Sequence, residues 1–329
     1  MPKVWVQVVK PTVISTFAGC GGSSLGYKLA GFKELLAVEW DDNAVETFKL
    51  NFPDVPVYHG DIGKLSGQEC MKLANIKPGE LDVFDGSPPC QGFSTAGKRK
   101  FDDPRNSLFK EYARLLKELQ PKVFVMENVT GMVKGVMKQA YLQIVKTLRE
   151  CGYQVRGEVL NAMYYNVPQS RQRVILIGVR NDLGIQPSHP QPQTKPIVLR
   201  EALKNVLPGD TPQLCPKYLK MAPKIKAGEC AADYDPGKGF QNLVRPYWNK
   251  VCFTLTKMNP GNGRGTPLHP TENRSLSISE AKRISSFPDD FVFVGPFIEK
   301  WARIGNSVPP NLMRAIALHI KTKILRCPT

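Results

Sequence analysis

Hydrophobic and polar positions along the first half of the chain switch repeatedly between a two-residue and a helical period. Short apolar runs read as strands at Thr12 to Phe17, Leu35 to Glu39, Val55 to Tyr58, Leu81 to Asp85 and Val123 to Met126. Two more follow at Val155 to Leu160 and Arg173 to Val179. Between them, helical spacing occurs at Leu25 to Ala30, Asn43 to Leu50, Gln68 to Ala74, Ser107 to Leu119 and Tyr141 to Leu148. The fourth of these helices is strongly amphipathic, with Leu108, Tyr112, Leu115, Leu116 and Leu119 on one face. Strand and helix alternate throughout, which predicts an α/β fold with a mostly parallel sheet covered on both faces.

The alternation stops near Asn181. From Pro187 to about Asn273 no long periodic element occurs. Helical patterns return at Ser279 to Ser286 and at Asn311 to Leu325. The irregular stretch is basic, with Lys217, Lys220, Lys224, Lys226, Lys238, Arg245, Lys250, Lys257, Arg264 and Arg274. Tyr218, Tyr234, Phe240, Tyr247, Trp248 and Phe253 sit among them. Any single lysine there is more simply a solvated side chain. The whole stretch, in a chain with 45 Lys and Arg against 29 Asp and Glu and a net charge of +16, favours a polyanion partner, most simply nucleic acid.

Composition removes several classes. Hydrophobic residues make up 42% of the 329, enough for a core, so wholesale disorder is excluded. No apolar run approaches the ~18 residues of a membrane span, and Met1 to Lys10 has no cleavable signal pattern. The eight cysteines are scattered without CxxC spacing, and the four histidines lie far apart. A reduced, cytoplasmic compartment and no metal site are the simplest expectations.

Candidate chemistry sits at the predicted strand ends. Phe17-Ala18-Gly19-Cys20-Gly21-Gly22 joins the first strand to a helix, and such a turn admits a ligand carboxylate or phosphate. The glycines alone suit a dinucleotide dehydrogenase equally well. The second strand ends at Glu39-Trp40, where a carboxylate can accept from both ribose hydroxyls. The third is followed by Asp61 and Ile62, so a carboxylate is available to an adenine amino group. Phe17, Trp40 and Ile62 could flank the ring, although Phe17 and Ile62 also suit a plain core and Glu39 a solvated strand end. Past the fourth strand, Gly86-Ser87-Pro88-Pro89 stiffens the chain ahead of Cys90. Glu127 ends the fifth strand, on the edge where a parallel neighbour would place Cys90. Arg171 and Arg173, spaced i, i+2 on an extended segment, are expected to point the same way.

Taken in order, FAGCGG, EW, GDI, GSPPCQGFS, ENV, QSRQR, RSLSISEAKRISSFPDDF and IGNSVPPNL resemble the motifs of the DNA (cytosine-5)-methyltransferase family, bacterial type. The resemblance covers nearly the whole chain apart from the first ten residues and the variable region. Two departures are visible. Ser15 stands where the first motif often has Asp, and Leu276-Ser277-Ile278 where Leu-Thr-Val is more usual.

The resemblance implies a Rossmann-like S-adenosylmethionine-dependent methyltransferase fold with a smaller, irregular target-recognition domain. Residues 1–185 plus 303–329 would form the catalytic and cofactor-binding domain, and 186–302 the target-recognition domain and hinge. It implies that Cys90 attacks C6 of a cytosine flipped from duplex DNA, with Glu127, Arg173 and Arg171 as further catalytic residues. Phe17, Gly19, Gly21, Gly22, Glu39, Trp40, Asp61, Ile62, Pro88 and Asn306 would hold S-adenosylmethionine, released as S-adenosylhomocysteine. Gln91, Ser94, Lys98 and Arg99, on a mobile loop, and Thr254 would contact DNA. Double-stranded DNA is the implied partner of a monomer in a prokaryotic cytoplasm, either as a solitary enzyme or with a functionally paired restriction endonuclease. A tRNA cytosine-5-methyltransferase is the nearest alternative, since Cys252-Phe253-Thr254 is similar to a signature of that branch. GSPPCQGFS and the size of the variable region favour DNA. A catalytically silent relative would not need Cys90, Glu127 and Arg173 together.

Overall fold

The computed structural model describes residues 10–89, 107–207, 209–234, 243–257 and 267–327. The first half contains β1 (Thr12–Thr16), α1 (Gly22–Leu29), β2 (Lys33–Glu39), α2 (Asp42–Asn51), β3 (Val57–His59), α3 (Gly67–Ala74), β4 (Val83–Gly86), α4 (Ser107–Leu119) and β5 (Val123–Val129). There follow α5 (Lys138–Glu150), β6 (Tyr153–Asn161), β7 (Gln169–Ser170), β8 (Gln172–Arg180), α6 (Leu199–Ala202), α7 (Pro216–Met221), β9 (Cys252–Phe253), α8 (Ile278–Ile284), α9 (Phe297–Asn306) and α10 (Pro310–His319).

Seven strands form one sheet in the order β3-β2-β1-β4-β5-β8-β6. Pairing is parallel from β3 to β5, and β8 runs antiparallel to both β5 and β6. The strand order reverses between β1 and β4, so their carboxyl ends open a crevice where α/β sheets place ligands. One sheet face packs on α3, α4 and α5, with Phe84, Tyr112, Leu116 and Phe124 buried among them. The other packs on α1 and α10, through Tyr27, Val83, Val125, Leu312 and Ile316. The α1–α10 crossing is close because Gly26 has no side chain: a Cβ there would lie 2.5 Å from that of Met313. The end of the chain thus returns to the first helix.

A third core joins the glycine turn and α2 to segments from residue 199 onward. Cys20, Leu25, Phe48 and Phe52 pack with Leu199, Leu255, Ile284, Phe291 and Trp301. Among the described residues, a smaller cluster including Leu214, Tyr218, Ile225, Leu243 and Leu268 belongs to the irregular region alone. Arg245 organises it from within. Its guanidinium donates to the carbonyls of Ile225, Ala222, His269 and Glu272 and to Asn273 Oδ1, all at 2.7–2.9 Å. Arg274 grips Glu280 and Glu272. These two arginines, counted above with a basic surface, are therefore scaffold; Lys238, Phe240 and Arg264 lie outside the described residues. Two further differences concern helices. The terminal helix leaves the α register at His319 and continues as a π turn over Ile320–Ile324, and α9 has no counterpart among the expected elements.

Candidate active site

The backbone after β1 turns sharply, with Phe17 at φ 53°, Gly19 at 57° and Gly21 at 95°. Each glycine of this turn meets a different requirement. At Gly21 a Cβ would sit 2.3 Å from the Phe52 ring, and at Gly22 it would lie 2.6 Å from the Val308 carbonyl oxygen. At Gly19 it would meet open space. Gly21 and Gly22 are thus fixed by packing against α2 and the segment after α9. Combining left-handed strain with that clash, Gly21→Ala is expected to destabilise the fold by roughly 2–4 kcal/mol. Gly19→Ala, strained but unobstructed, should cost about 1 kcal/mol; urea unfolding of the two variants measures the difference.

Gly19 is tied to the end of β2. Its amide donates to Glu39 Oε2 at 2.7 Å, while Glu39 Oε1 accepts from the amides of Trp40 and Asp41 at 2.9 and 3.0 Å. A carboxylate offers about four acceptor positions, so Oε2 keeps room for one more donor. A cavity of about 240 Å³ opens beside it, lined by Phe17, Val38, Glu39, Trp40, Gly60, Asp61, Ile62, Pro89 and Leu108. Five of the residues expected to hold a cofactor, Phe17, Glu39, Trp40, Asp61 and Ile62, therefore meet around one space. Asp61 caps the turn after β3 through Gly63 N at 2.9 Å. Trp40 is 76% exposed, with its ring on the rim. Gly21, Gly22, Pro88 and Asn306 are not among the lining residues. Pro89 lines the cavity where Pro88 was expected; Pro88 is buried and its carbonyl accepts from Asn128 Nδ2 at 3.1 Å. Asn306 lies exposed at the end of α9. Next to it, the Ser307 hydroxyl is 3.1 Å from Cys20 Sγ, which keeps this end of α9 against the glycine turn.

The residue beside the sheet crevice with the clearest chemistry is Glu127. Glu127 and Arg173 are diagonal neighbours on antiparallel β5 and β8, since Arg173 pairs with Val129. Arg173 Nε donates to Glu127 Oε1 at 2.7 Å, with side chains 13% and 12% exposed. The pair offers a carboxylate and free guanidinium N–H groups to a planar heterocycle. Asn128, unassigned from sequence, braces it by joining the end of β5 to the Pro-Pro segment; its place inside the ENV motif was the available signal.

Arg171 does something else. It is 3% exposed and donates to the carbonyls of Leu255 and Gly305 at 2.8 and 2.9 Å. Burial pushes its guanidinium down to about 9, which still leaves it charged at neutral pH. The expectation that both arginines point together fails because the Arg171 amide bonds the Gln169 carbonyl at 3.0 Å, a tight turn that interrupts the extended chain. Thr254 is also committed internally, its hydroxyl donating to the Ser170 carbonyl at 2.8 Å. Cys90, Gln91, Ser94, Lys98 and Arg99 lie outside the described residues. Among the described thiols, burial pushes Cys20 up to about 11 and Cys70 and Cys252 up to about 12, so these three stay protonated at neutral pH. No described helix is long and apolar enough to cross a membrane.

A sequence model of the family described as C-5 cytosine-specific DNA methylase matches residues 11–322. The chain is 36% identical over 335 aligned positions to the Type II methyltransferase M1.HphI of Haemophilus parahaemolyticus, covering 96% of this chain and 88% of that protein. It is 36% identical to the Type II methyltransferase M.Eco47II of Escherichia coli, covering 95% and 80%. Among solved structures, a candidate DNA modification methyltransferase encoded within an E. coli prophage superposes with a TM-score of 0.80 at 25% identity, covering 96% of this chain and all of that one. A DNMT2 structure from Spodoptera frugiperda, at 20% identity and a TM-score of 0.69, shares the fold. The family and fold imply a methyl donor of the S-adenosylmethionine type, and the crevice, the cavity beside Glu39 and the sequence match agree: this chain belongs to the C-5 cytosine-specific DNA methylase family and is a DNA (cytosine-5)-methyltransferase.

Proposed function

We propose that the chain methylates C5 of one cytosine within a specific sequence of duplex DNA, with Cys90 as nucleophile and S-adenosylmethionine as donor. The observation that carries this reading is the Glu127–Arg173 pair at 2.7 Å, beside the strand end that leads to residue 90. The cavity fits the cofactor's chemistry. Phe17, Ile62 and Trp40 offer flat or apolar walls to an adenine, Asp61 an acceptor for its amino group, and Glu39 a remaining acceptor for a ribose hydroxyl. Gly19, Gly21, Gly22, Pro88 and Asn306 are the further residues that would hold the cofactor, toward its charged end. When bound, the cofactor supplies an electrophilic methyl group and leaves as S-adenosylhomocysteine.

The rest is the work of the chain. Cytosine C5 is a poor nucleophile until the Cys90 thiolate bonds to C6 and makes the ring enamine-like. Glu127 holds a proton at N3, which drains the developing charge, and Arg173 donates to O2. After transfer, loss of the C5 proton and breaking of the S–C6 bond restore the aromatic ring and the thiolate. The base must leave the duplex first, at a cost of a few kcal/mol. Residues 1–185 and 303–329 carry this chemistry, and 186–302 reads the target sequence, with Lys98, Arg99, Gln91, Ser94 and Thr254 toward DNA. Relatives of Type II name suggest a functionally paired restriction endonuclease. A monomer in the bacterial cytoplasm, on nucleoid DNA, is the corresponding setting.

Bisulfite sequencing of DNA from cells expressing the chain, with the tRNA pool analysed in parallel, tests this reading. Protected cytosines at one recurrent DNA sequence are expected, and none with Cys90→Ala. Protection confined to tRNA, or retained in Cys90→Ala, overturns it.

A further inference from the structure

Beneath the glycine turn, on the α1 side of the sheet, lies a group of buried polar side chains that the reaction does not use. Ser15 of β1 pairs in register with Asp85 of β4. Both are buried, at 0% and 3% exposure. The Ser15 hydroxyl lacks a well-formed hydrogen bond, although Glu34 faces it from β2. Asp85 is engaged by α1. The Tyr27 hydroxyl donates to its Oδ1 at 3.2 Å, and Ser23, in the first turn of the helix, hydrogen-bonds its carboxyl. Ser24, the next residue, donates to Glu34 at 2.8 Å. One carboxyl thus links the helix after the glycine turn to the strand that leads into Pro88 and Pro89.

We infer that Asp85 is a positioning residue: its carboxyl, in register with the unsatisfied Ser15 hydroxyl on β1, fixes the spacing between the cofactor-side helix and the Pro-Pro segment. A buried carboxyl in a core is costly unless it is partnered, and here both partners come from one helix. A hydrophobic residue would fill the space but leave Ser23 and Tyr27 without an acceptor. Burial pushes Asp85 up to about 8 and Glu34 up to about 7. Asp85 is therefore largely protonated at neutral pH, which spares it repulsion from Glu127, one strand away on β5. The groups facing it are Tyr27 and Ser23 from α1, Ser15 from β1, Glu34 from β2, Glu127 from β5 and Tyr112 from α4.

The inference rests on the cofactor reading above, and its test separates the two. S-adenosylhomocysteine binding to the full-length enzyme is measured by calorimetry for wild type, Asp85→Ser and the exchange variant Ser15→Asp/Asp85→Ser. Asp85→Ser is expected to weaken binding tenfold or more, and the exchange to restore it to within threefold. Binding by Asp85→Ser within twofold of wild type, or an exchange variant no better than Asp85→Ser while both fold by circular dichroism, overturns the inference. Absence of binding by wild type overturns the cofactor reading instead. The tether then stands or falls on the thermal midpoint of the cofactor-free protein. The unfolded chain ionises Asp85 near its ordinary 3.8 and the folded chain only near 8, so stability falls as pH rises between those values and levels off above them. Glu34 acts in the same sense, from 4.5 to about 7. A midpoint that drops by several degrees between pH 5 and pH 8, and drops less in Asp85→Asn, supports the tether; identical slopes overturn it.

Discussion

Arg173→Ala is expected to lower kcat for methyl transfer by roughly 10²–10³-fold, the usual effect of losing one donor to a developing anion. Two consequences add. The free N–H groups of the guanidinium no longer meet cytosine O2, and Glu127, 12% exposed, loses the partner that holds it at 2.7 Å. The alanine variant should therefore lose both a donor to the substrate and the contact that positions the carboxylate. Glu127→Gln removes the proton carrier itself and should cost about 10²–10⁴-fold. Because the two side chains act as one unit, the double variant should be little worse than the poorer single one. Arg173→Lys keeps the charge but loses the planar fork, so it should recover only part of the rate. Single-turnover transfer at saturating DNA and cofactor isolates the chemical step. Rates within threefold of wild type for Arg173→Ala would remove the pair from the reaction.

What the sequence made legible follows from where each signal arises. Glu39, Asp61 and Glu127 could be located because a strand end is a local feature, and strand order then places them along one edge. The glycine turn was equally visible, but its division of labour was not. Whether Gly21 faces a ligand or the Phe52 ring depends on how α2 lies against the turn, a contact between distant segments. Arg171 and Arg173 were misjudged as a pair because the period-two rule assumes an unbroken strand, and the turn from Gln169 to Arg171 breaks it. Arg245 looks like surface charge in any composition-based reading. Its five acceptors come from two segments distant in sequence, 222–225 and 269–273. Helix α9 was passed over although Phe297, Trp301 and Ile304 have helical spacing, because it opens directly after Gly295-Pro296, a pair that reads as a turn. The π turn after His319 has no sequence signature, since apolar spacing does not distinguish i→i+4 from i→i+5 bonding.

Arg171→Ala is expected to loosen the junction between the segments around Gln169, Leu255 and Gly305, with a stability loss of roughly 2–5 kcal/mol, because truncation leaves two buried carbonyls without donors. The junction is built from three segments that meet at this side chain. Gln169 and Ser170 pair in parallel with Cys252 and Phe253, and Gln169 reaches Ser285 Oγ at 3.1 Å and the Leu255 amide at 3.2 Å. Trp301 Nε1 donates to the Thr256 carbonyl at 2.9 Å. Gly305 lies so close to this strand that a Cβ would be 2.4 Å from the Thr256 carbonyl carbon. Arg171 closes the set by bonding Leu255 on one side and Gly305 on the other. Relief from burying the charge opposes the loss, which is why the lower end of the range is retained. Arg171→Met, which fills the space without a charge, should fall between wild type and alanine. Arg171→Lys can reach one carbonyl but not span both. Urea unfolding followed by tryptophan fluorescence reports on the junction through the buried Trp301. A role in chemistry would instead appear as a fall in single-turnover rate at unchanged stability. Were Arg171→Ala as stable as wild type but catalytically as poor as Arg173→Ala, the guanidinium would belong to the reaction and not to the hinge.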